Sequence, residues 1–233
     1  MRILGIDLAS QPARTAACLL DMEDGRVFAS TLHRGCDDQI LDTLAAQADA
    51  IGIDAPFGWP RAFRDAVGSW THESWSTTLR DRLRFRETDR FVQRLHPDNR
   101  PLSVSTDLIS LPGMRAMAFL RRHGVTDLSG GDGRSFEVYP AASLRAWSLP
   151  ATGYKKTRDP RSTALRREIV AGLNRRFGPF DPPDKVLTDA DCLDAWIAAA
   201  TGHLAASGQT HLPADEPARN AARKEGWIHV PRG

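Results

Sequence analysis

Two short stretches with the same ending decide the fold: residues 3–7, Ile-Leu-Gly-Ile-Asp, and residues 50–54, Ala-Ile-Gly-Ile-Asp. Each is an apolar run of the kind that predicts a buried central strand. Each ends in an aspartate, Asp7 or Asp54, and runs into loop-forming residues. An unpaired buried carboxylate is costly, so each aspartate needs a partner. Two such strands that end at the same edge of one sheet would aim both acids at a common point. That arrangement suits a divalent metal ion.

The chain between and around these stretches predicts the element order β-β-β-α-β. Residues 14–20 and 26–32 read as two strands joined by a turn at residues 23–25. Residues 37–48 have the apolar spacing of a helix, and the strand ending at Asp54 is expected to lie parallel to the first. Residues 60–125 interrupt this pattern, and we interpret them as an insertion or cap that is mostly helical, with one helix from Pro112 to His123.

The second half of the chain predicts further elements. A strand over residues 135–139 should stop at Pro140, and a basic helix should follow over about residues 161–177. A last long helix is expected to open at Thr188 and run to about Ala206, and residues 227–230 could add an edge strand. The predicted fold class is therefore α/β: a mixed central sheet flanked by helices, in a single domain spanning residues 1–233.

Composition narrows the class of protein. The chain has 233 residues, 41% of them hydrophobic and 26% charged, as in an ordinary soluble globular protein. Its net charge of +2 excludes a molecule that binds nucleic acid through its overall charge. Arginines do crowd residues 80–94 and 158–176, where they suit either phosphate groups or a solvated surface balanced by acids.

The expected location is the cytoplasm. The three cysteines are scattered without metal-ligand or disulfide spacing, which fits a reducing compartment. The first apolar stretch is too short for a signal peptide, and no stretch has the length of a transmembrane helix, so no membrane partner is expected.

Two more acids lie near the start of the last predicted helix. Thr188 and Asp191 match a capping box, so Asp191 has a structural explanation as well as a functional one. Asp194 borders the apolar stripe of the helix, and an acid in that place requires a cation or a hydrogen-bond donor. The alanines that follow it would let this helix lie close against a sheet.

Glu137 is the fourth acid of a predicted metal site. It interrupts an apolar strand between Phe136 and Val138, which an exposed strand face could also explain. Together with Asp7, Asp54 and Asp194 it would form a set of oxygen ligands suited to Mg²⁺ or Mn²⁺, the cofactors that we expect.

Basic residues could position a substrate. Arg86 and Asp89 lie one helical turn apart, so Arg86 either pairs with Asp89 or contacts a substrate phosphate. Lys155 and Lys156 lie in a compact basic loop, which is either a phosphate contact or simply solvated. Three tryptophans at positions 59, 70 and 75 could stack on bases, although packing is the commoner role.

The chain resembles a known family, domain of unknown function 429 (DUF429), described as predicted ribonuclease H-like nucleases. The matching stretches are residues 5–7, 53–60, 86–90, 136–140, 153–156 and 191–195. The resemblance implies a ribonuclease H-like fold, with Asp7, Asp54, Glu137 and Asp194 as catalytic metal ligands and Asp191 as a fifth candidate. The last helix is also similar to that of bacterial Holliday-junction resolvases. The chain departs from those resolvases at the second of its strand acids, which is Asp54 here and not a glutamate.

Three functions remain open at this stage. The first is a metal-dependent nuclease that hydrolyses phosphodiester bonds with two cations, which makes nucleic acid the expected partner. The second is an actin-like phosphotransferase, which would need a glycine-rich loop where this chain has Leu8-Ala9-Ser10. The third is a non-catalytic protein that binds nucleic acid or another ligand on the same fold. The sequence leaves open whether the substrate is DNA, RNA or a small phosphodiester.

Overall fold

A computed structural model describes residues 1–98, 100–156, 159–178 and 184–233. Six strands form one mixed sheet in the order β3-β2-β1-β4-β5-β6. The strands are β1 (Arg2–Asp7), β2 (Ala16–Glu23), β3 (Arg26–Arg34), β4 (Ala50–Asp54), β5 (Ser135–Val138) and β6 (Ile228–His229). The first three strands are antiparallel neighbours, whereas β1, β4, β5 and β6 run parallel to one another. The predicted element order, the parallel pairing of β1 with β4 and the edge strand near the C-terminus are confirmed.

Helices surround this sheet. They are α1 (Asp38–Ala45), α2 (Arg61–Ser69), α3 (Arg80–Arg84), α4 (Glu87–Leu95), α5 (Ser110–Arg122), α6 (Pro140–Ala146), α7 (Pro160–Phe177), α8 (Lys185–Thr188), α9 (Ala190–Ala206) and α10 (Glu216–Glu225). Pro140 ends the strand as predicted, but it also begins α6, because a proline is well tolerated in the first turn of a helix. Across the described residues, no helix combines the length and apolar character that a membrane span needs.

The sheet is covered on both faces, and the repeated Gly-Ile-Asp frame explains how. Ile6 and Ile53 point to one face, where they pack with α1 and α5. Gly5 and Gly52 face α9 on the other side, where an added Cβ would lie 2.0 Å from Ala195 O and 2.1 Å from Ala198 O, respectively. The glycines thus allow the alanine-rich helix to approach the sheet backbone closely, which confirms the close packing expected of this helix.

Two expectations about α9 are wrong. The helix begins at Ala190 and not at Thr188, because the Asp189 carboxylate accepts the Asp191 N–H and so caps the helix instead of the predicted Thr188–Asp191 box. The helix is also not amphipathic. Apart from Asp191, every residue from Ala190 to Ala205 is buried, since the sheet covers one side and α6, α7 and α8 cover the other.

The stretch interpreted as an insertion, residues 60–125, is mostly helical. Its last helix, α5, belongs to the layer that covers the sheet, through Ala116, Phe119 and Leu120. The preceding helices α2 and α4 contact α10 instead, and α4 also contacts β6. The Ile228 N–H donates to Thr88 Oγ1 at 2.7 Å, which ties α4 to the sheet edge.

Candidate functional site at the sheet edge

Asp7 and Asp54 lie side by side where β1 and β4 end. The two residues are direct partners in the parallel register, one position beyond the pair Ile6 and Ile53. Because side chains alternate along a strand, both aspartates point to the same face as Gly5 and Gly52, the face covered by α9. Both side chains are partly buried. The sequence therefore placed these two acids correctly at one edge of the sheet.

Asp194 meets them from α9. Its side chain is fully buried, one turn into the helix. The Tyr154 hydroxyl donates to Asp194 Oδ1 at 2.7 Å, and Lys155 Nζ lies 2.6 Å from Asp194 Oδ2. The Lys155 side chain is 59% exposed, so its ammonium reaches the buried acid from the solvent side. Lys155, which the sequence suggested as a phosphate contact, is thus an ion-pair partner of the acids in this structure.

The charges in this cluster do not balance. Burial raises the pKa of Asp7 well above its usual range, and the charges of Asp194 and Asp54 raise it further. Burial, together with the charges of Asp194 and Glu137, raises the pKa of Asp54 to about 7 against the opposing effect of Lys155. Burial would lower the pKa of Lys155, but Asp194 and Asp54 outweigh burial and raise it. The single positive charge of Lys155 therefore does not neutralise the three aspartates.

Glu137 lies on the opposite face of the sheet. In the register of β4 and β5 it is the partner of Ile53 and not of Asp54, so strand alternation turns it away from the aspartates. Two hydrogen bonds join it to Arg86, at 2.8 Å from Nη1 to Oε2 and 2.7 Å from Nη2 to Oε1. The Phe57 N–H also donates to Oε2, at 3.0 Å. Glu137 lines the same cavity as Asp7 and Asp54, but its two oxygens are bonded to Arg86 and not directed at the aspartates.

Arg86 is committed to protein carboxylates. It donates to Asp89 through Nε at 3.1 Å and Nη2 at 2.8 Å, in addition to its bonds with Glu137. Its side chain is only 2% exposed, and the two acids raise its pKa although burial opposes them. The sequence left open whether Arg86 pairs with Asp89 or contacts a substrate phosphate, and in the structure it pairs with Asp89.

The remaining two candidates lie further out. Asp191 pairs with Arg34, whose Nη2 is 2.6 Å from Asp191 Oδ2, while Arg34 Nε bonds Asp189 at 3.0 Å. Lys156 is exposed, and its charge contributes to lowering the pKa of Asp159. The described contacts of the Asp194 carboxylate are with Tyr154 and Lys155, and not with Asp191 or Lys156.

A cavity of about 300 Å³ opens beside Asp7 and Asp54. Apolar side chains of the strand ends and of residues 101–112 form most of its wall, and Tyr139 also lines it. Sequence reasoning missed this cavity because nothing in residues 101–112 shows that they fold back over the sheet edge. It also gave Tyr154 no role, although a tyrosine directly before Lys155 in a stretch that matches the family was a usable signal.

The donor set can be compared with the needs of a metal ion. Among the described residues, no group of three or more His, Cys, Asp or Glu side chains lies close enough together to hold one. The chemistry of Asp7, Asp54 and Asp194 nevertheless suits a hard divalent cation, because carboxylate oxygens are its preferred ligands and negative charge is in excess. Lys155 supplies the counter-charge in this conformation.

Comparison with known proteins identifies the family and nothing finer. Searches among curated proteins and among solved structures found no match. One family matches residues 5–218, nearly the whole chain, and its description is "protein of unknown function". The chain therefore belongs to the DUF429 family.

Proposed function

We propose that the protein is a divalent-cation-dependent phosphodiesterase that cleaves nucleic acid, built on a ribonuclease H-like version of the α/β fold. The observation that carries this proposal is the gathering of Asp7, Asp54 and Asp194 at one sheet edge with Lys155 as their counter-charge. The β-β-β-α-β order of the first strands supports the fold part of the proposal.

The three aspartates would hold Mg²⁺ or Mn²⁺ after a shift of their side chains, since in this conformation they do not lie close enough together to share one ion. Two come from neighbouring parallel strands and one from a buried helix, so their backbones are fixed by the sheet and by the close packing of α9. The Tyr154 hydroxyl orients Asp194 by donating to its Oδ1, so Oδ2, which is paired with Lys155 Nζ in this structure, is the oxygen that would bind a cation. A bound divalent cation would activate a water molecule and stabilise the charge that develops on phosphate oxygens.

Lys155 would change partner when the cation binds. Its ammonium is attached by a long flexible side chain that is 59% exposed, so it can leave Asp194 without breaking the core. Once released, it would be free to donate to a phosphate oxygen of the substrate, the role that the sequence suggested. Glu137, held by Arg86, would support the site from the opposite face and would not bind the cation.

Cleavage of a nucleic-acid panel tests this proposal. The panel contains single-stranded, duplex, RNA–DNA hybrid and four-way-junction substrates, each incubated with Mg²⁺ or Mn²⁺. Asp7→Asn and Asp194→Asn keep the shape of the side chains but remove the charge, and we expect both to abolish cleavage. Asp65→Asn is the matched control, because Asp65 is 67% exposed and pairs only with Arg61 among the ion pairs of the described residues.

Thermal melting supplies a readout that does not depend on activity. Mn²⁺ should raise the melting temperature of the wild type and of Asp65→Asn, but not of Asp7→Asn. A wild type that melts at the same temperature with and without Mn²⁺ would overturn the metal site. Mn²⁺ stabilisation without cleavage of any substrate would instead favour a non-catalytic binding protein, and stabilisation by ATP would favour the phosphotransferase.

A further inference from the structure

The cavity beside Asp7 and Asp54 is lined by two chemically different kinds of side chain. Asp7 and Asp54, which we call its aspartate end, line it together with apolar side chains that form most of the wall. Those apolar residues include Leu8, Pro56, Pro101, Leu102, Ile109 and Pro112. A ligand that fits this cavity therefore joins a compact apolar group to a group that can share a cation with carboxylates.

The other charged residues of the cavity do not change this description. Arg86, Asp89 and Glu137 also line it, but the hydrogen bonds among them already use the guanidinium and both carboxylates. The polar end that remains to recognise a charged ligand is therefore the end at Asp7 and Asp54.

The size of the cavity limits the apolar group. A volume of about 300 Å³ lies at the small end of the range for ligand pockets, which is room for one ring system and its attached sugar. A base inside a duplex is stacked and paired, so it could enter such a cavity only after leaving the helix, at a cost of a few kcal/mol. An unpaired base avoids that cost.

We propose that this cavity receives one unpaired nucleobase whose phosphate lies at the aspartate end. The inference rests on the proposed function, since the phosphate is placed by the same cation site. Nucleotides fit because they join a flat, largely apolar ring system to a phosphate through a single sugar. The same chemistry is offered by a free mononucleotide and by an unpaired nucleotide in a strand, and the experiment separates the two.

Residues 101–112 offer a matched pair of variants for the test. Leu102 lines the cavity and is 55% exposed, so Leu102→Trp fills the entrance without disturbing the core. Leu108 belongs to the same segment but is 93% exposed and does not line the cavity, so Leu108→Trp is the control. Ile109 also lines the cavity and is less exposed than Leu102, so Ile109→Phe is a second filling variant.

Calorimetric titration in Ca²⁺ measures binding of AMP, of a single-stranded dinucleotide and of a blunt-ended duplex. We expect the wild type to bind AMP or the dinucleotide. Leu102→Trp and Ile109→Phe should bind the same ligand at least about ten-fold more weakly than Leu108→Trp does. Binding of the dinucleotide alone would identify a nucleotide within a strand, and binding of AMP would identify a free mononucleotide as sufficient. The duplex should bind at least about ten-fold more weakly than the better of these ligands.

The outcomes separate this inference from the proposed function. Equal affinities in Leu102→Trp, Ile109→Phe and Leu108→Trp would overturn the base pocket, as would a duplex that binds as tightly as the single strand. If Mn²⁺ still raises the melting temperature in that case, the metal site stands and only the pocket fails. If Mn²⁺ does not change the melting temperature but the filling variants bind AMP more weakly than Leu108→Trp does, the base pocket stands and the nuclease proposal fails.

Discussion

Arg86 is a single buried guanidinium shared by two buried carboxylates, those of Asp89 and Glu137. All three side chains are at most 3% exposed, and four side-chain hydrogen bonds join them. The arginine also donates to the Glu225 carbonyl at 3.1 Å. Burying charges is favourable only when they are paired and hydrogen-bonded, so the two acids depend on this one residue.

Replacing Arg86 by methionine should therefore destabilise the fold strongly. Arg86→Met keeps an apolar stem but leaves Asp89 and Glu137 buried without their cation, and we expect a loss of about 3–5 kcal/mol in the free energy of unfolding. Urea denaturation at neutral pH measures it. Arg94→Met removes an exposed partner of Glu87 in the same helix and should cost less than about 1 kcal/mol. Similar losses in the two variants would contradict this account.

The sequence located the acids better than it located their partners. Asp7 and Asp54 could be placed because each ends its own apolar strand, and parallel strands end at the same edge. Glu137 could not be placed, because a shift of one residue between β4 and β5 reverses the face on which it lies. The ion pair between Lys155 and Asp194 depends on how a loop folds over α9, which local patterns do not encode.

At the scale of elements, the packing of α9 on the sheet positions the site. Gly5 and Gly52 lie directly beneath this helix, and Asp194 precedes Ala195, whose carbonyl lies nearest to Gly5. The distance between the helix and the two strands therefore also sets the distance between Asp194 and the strand aspartates. A side chain at either glycine would separate them.

Gly52→Ala should disrupt both stability and cation binding. Its Cβ would lie 2.1 Å from Ala198 O, and neither backbone can move aside without displacing an element, so we expect a loss of at least about 3 kcal/mol. Urea denaturation and the Mn²⁺-dependent rise in melting temperature measure the two effects. Gly68→Ala is the control: nothing lies within 4 Å of an added Cβ in α2, and alanine should stabilise the helix by up to about 1 kcal/mol. A tolerated Gly52→Ala would show that α9 is not held this closely.

Long buried elements could be predicted, and short surface helices could not. The strands at residues 2–7 and 50–54 and the helices α5, α7 and α9 are marked by apolar runs or by periodicity, and their predicted bounds lie within about two residues of those observed. Helix α10 was missed because it has few apolar residues, and only Ala222 and Glu225 are buried. Its signal was the Asp215 cap followed by Pro217 in the first turn.

At the scale of the whole molecule, the C-terminal residues join the helices of the predicted insertion to the sheet. Helix α10 contacts α2 and α4, and β6 extends the sheet beside β5. Glu225, at the end of α10, accepts the Arg61 N–H through Oε1 at 2.7 Å and the Glu87 N–H through Oε2 at 3.1 Å. These are the first residues of α2 and α4, so one carboxylate satisfies the N-termini of both helices.

Glu225→Ala should therefore loosen two distant parts of the chain at once. Both helix starts would lose a charge-assisted hydrogen bond, and we expect a total cost of about 3 kcal/mol. Hydrogen–deuterium exchange should become faster in the first turns of both α2 and α4, because the same side chain protects them. Glu216→Ala is the control, since Glu216 is 61% exposed and pairs only with Arg219 among the ion pairs of the described residues, so exchange in α2 and α4 should stay unchanged. Faster exchange confined to α10 would mean that the C-terminal segment does not hold these helices.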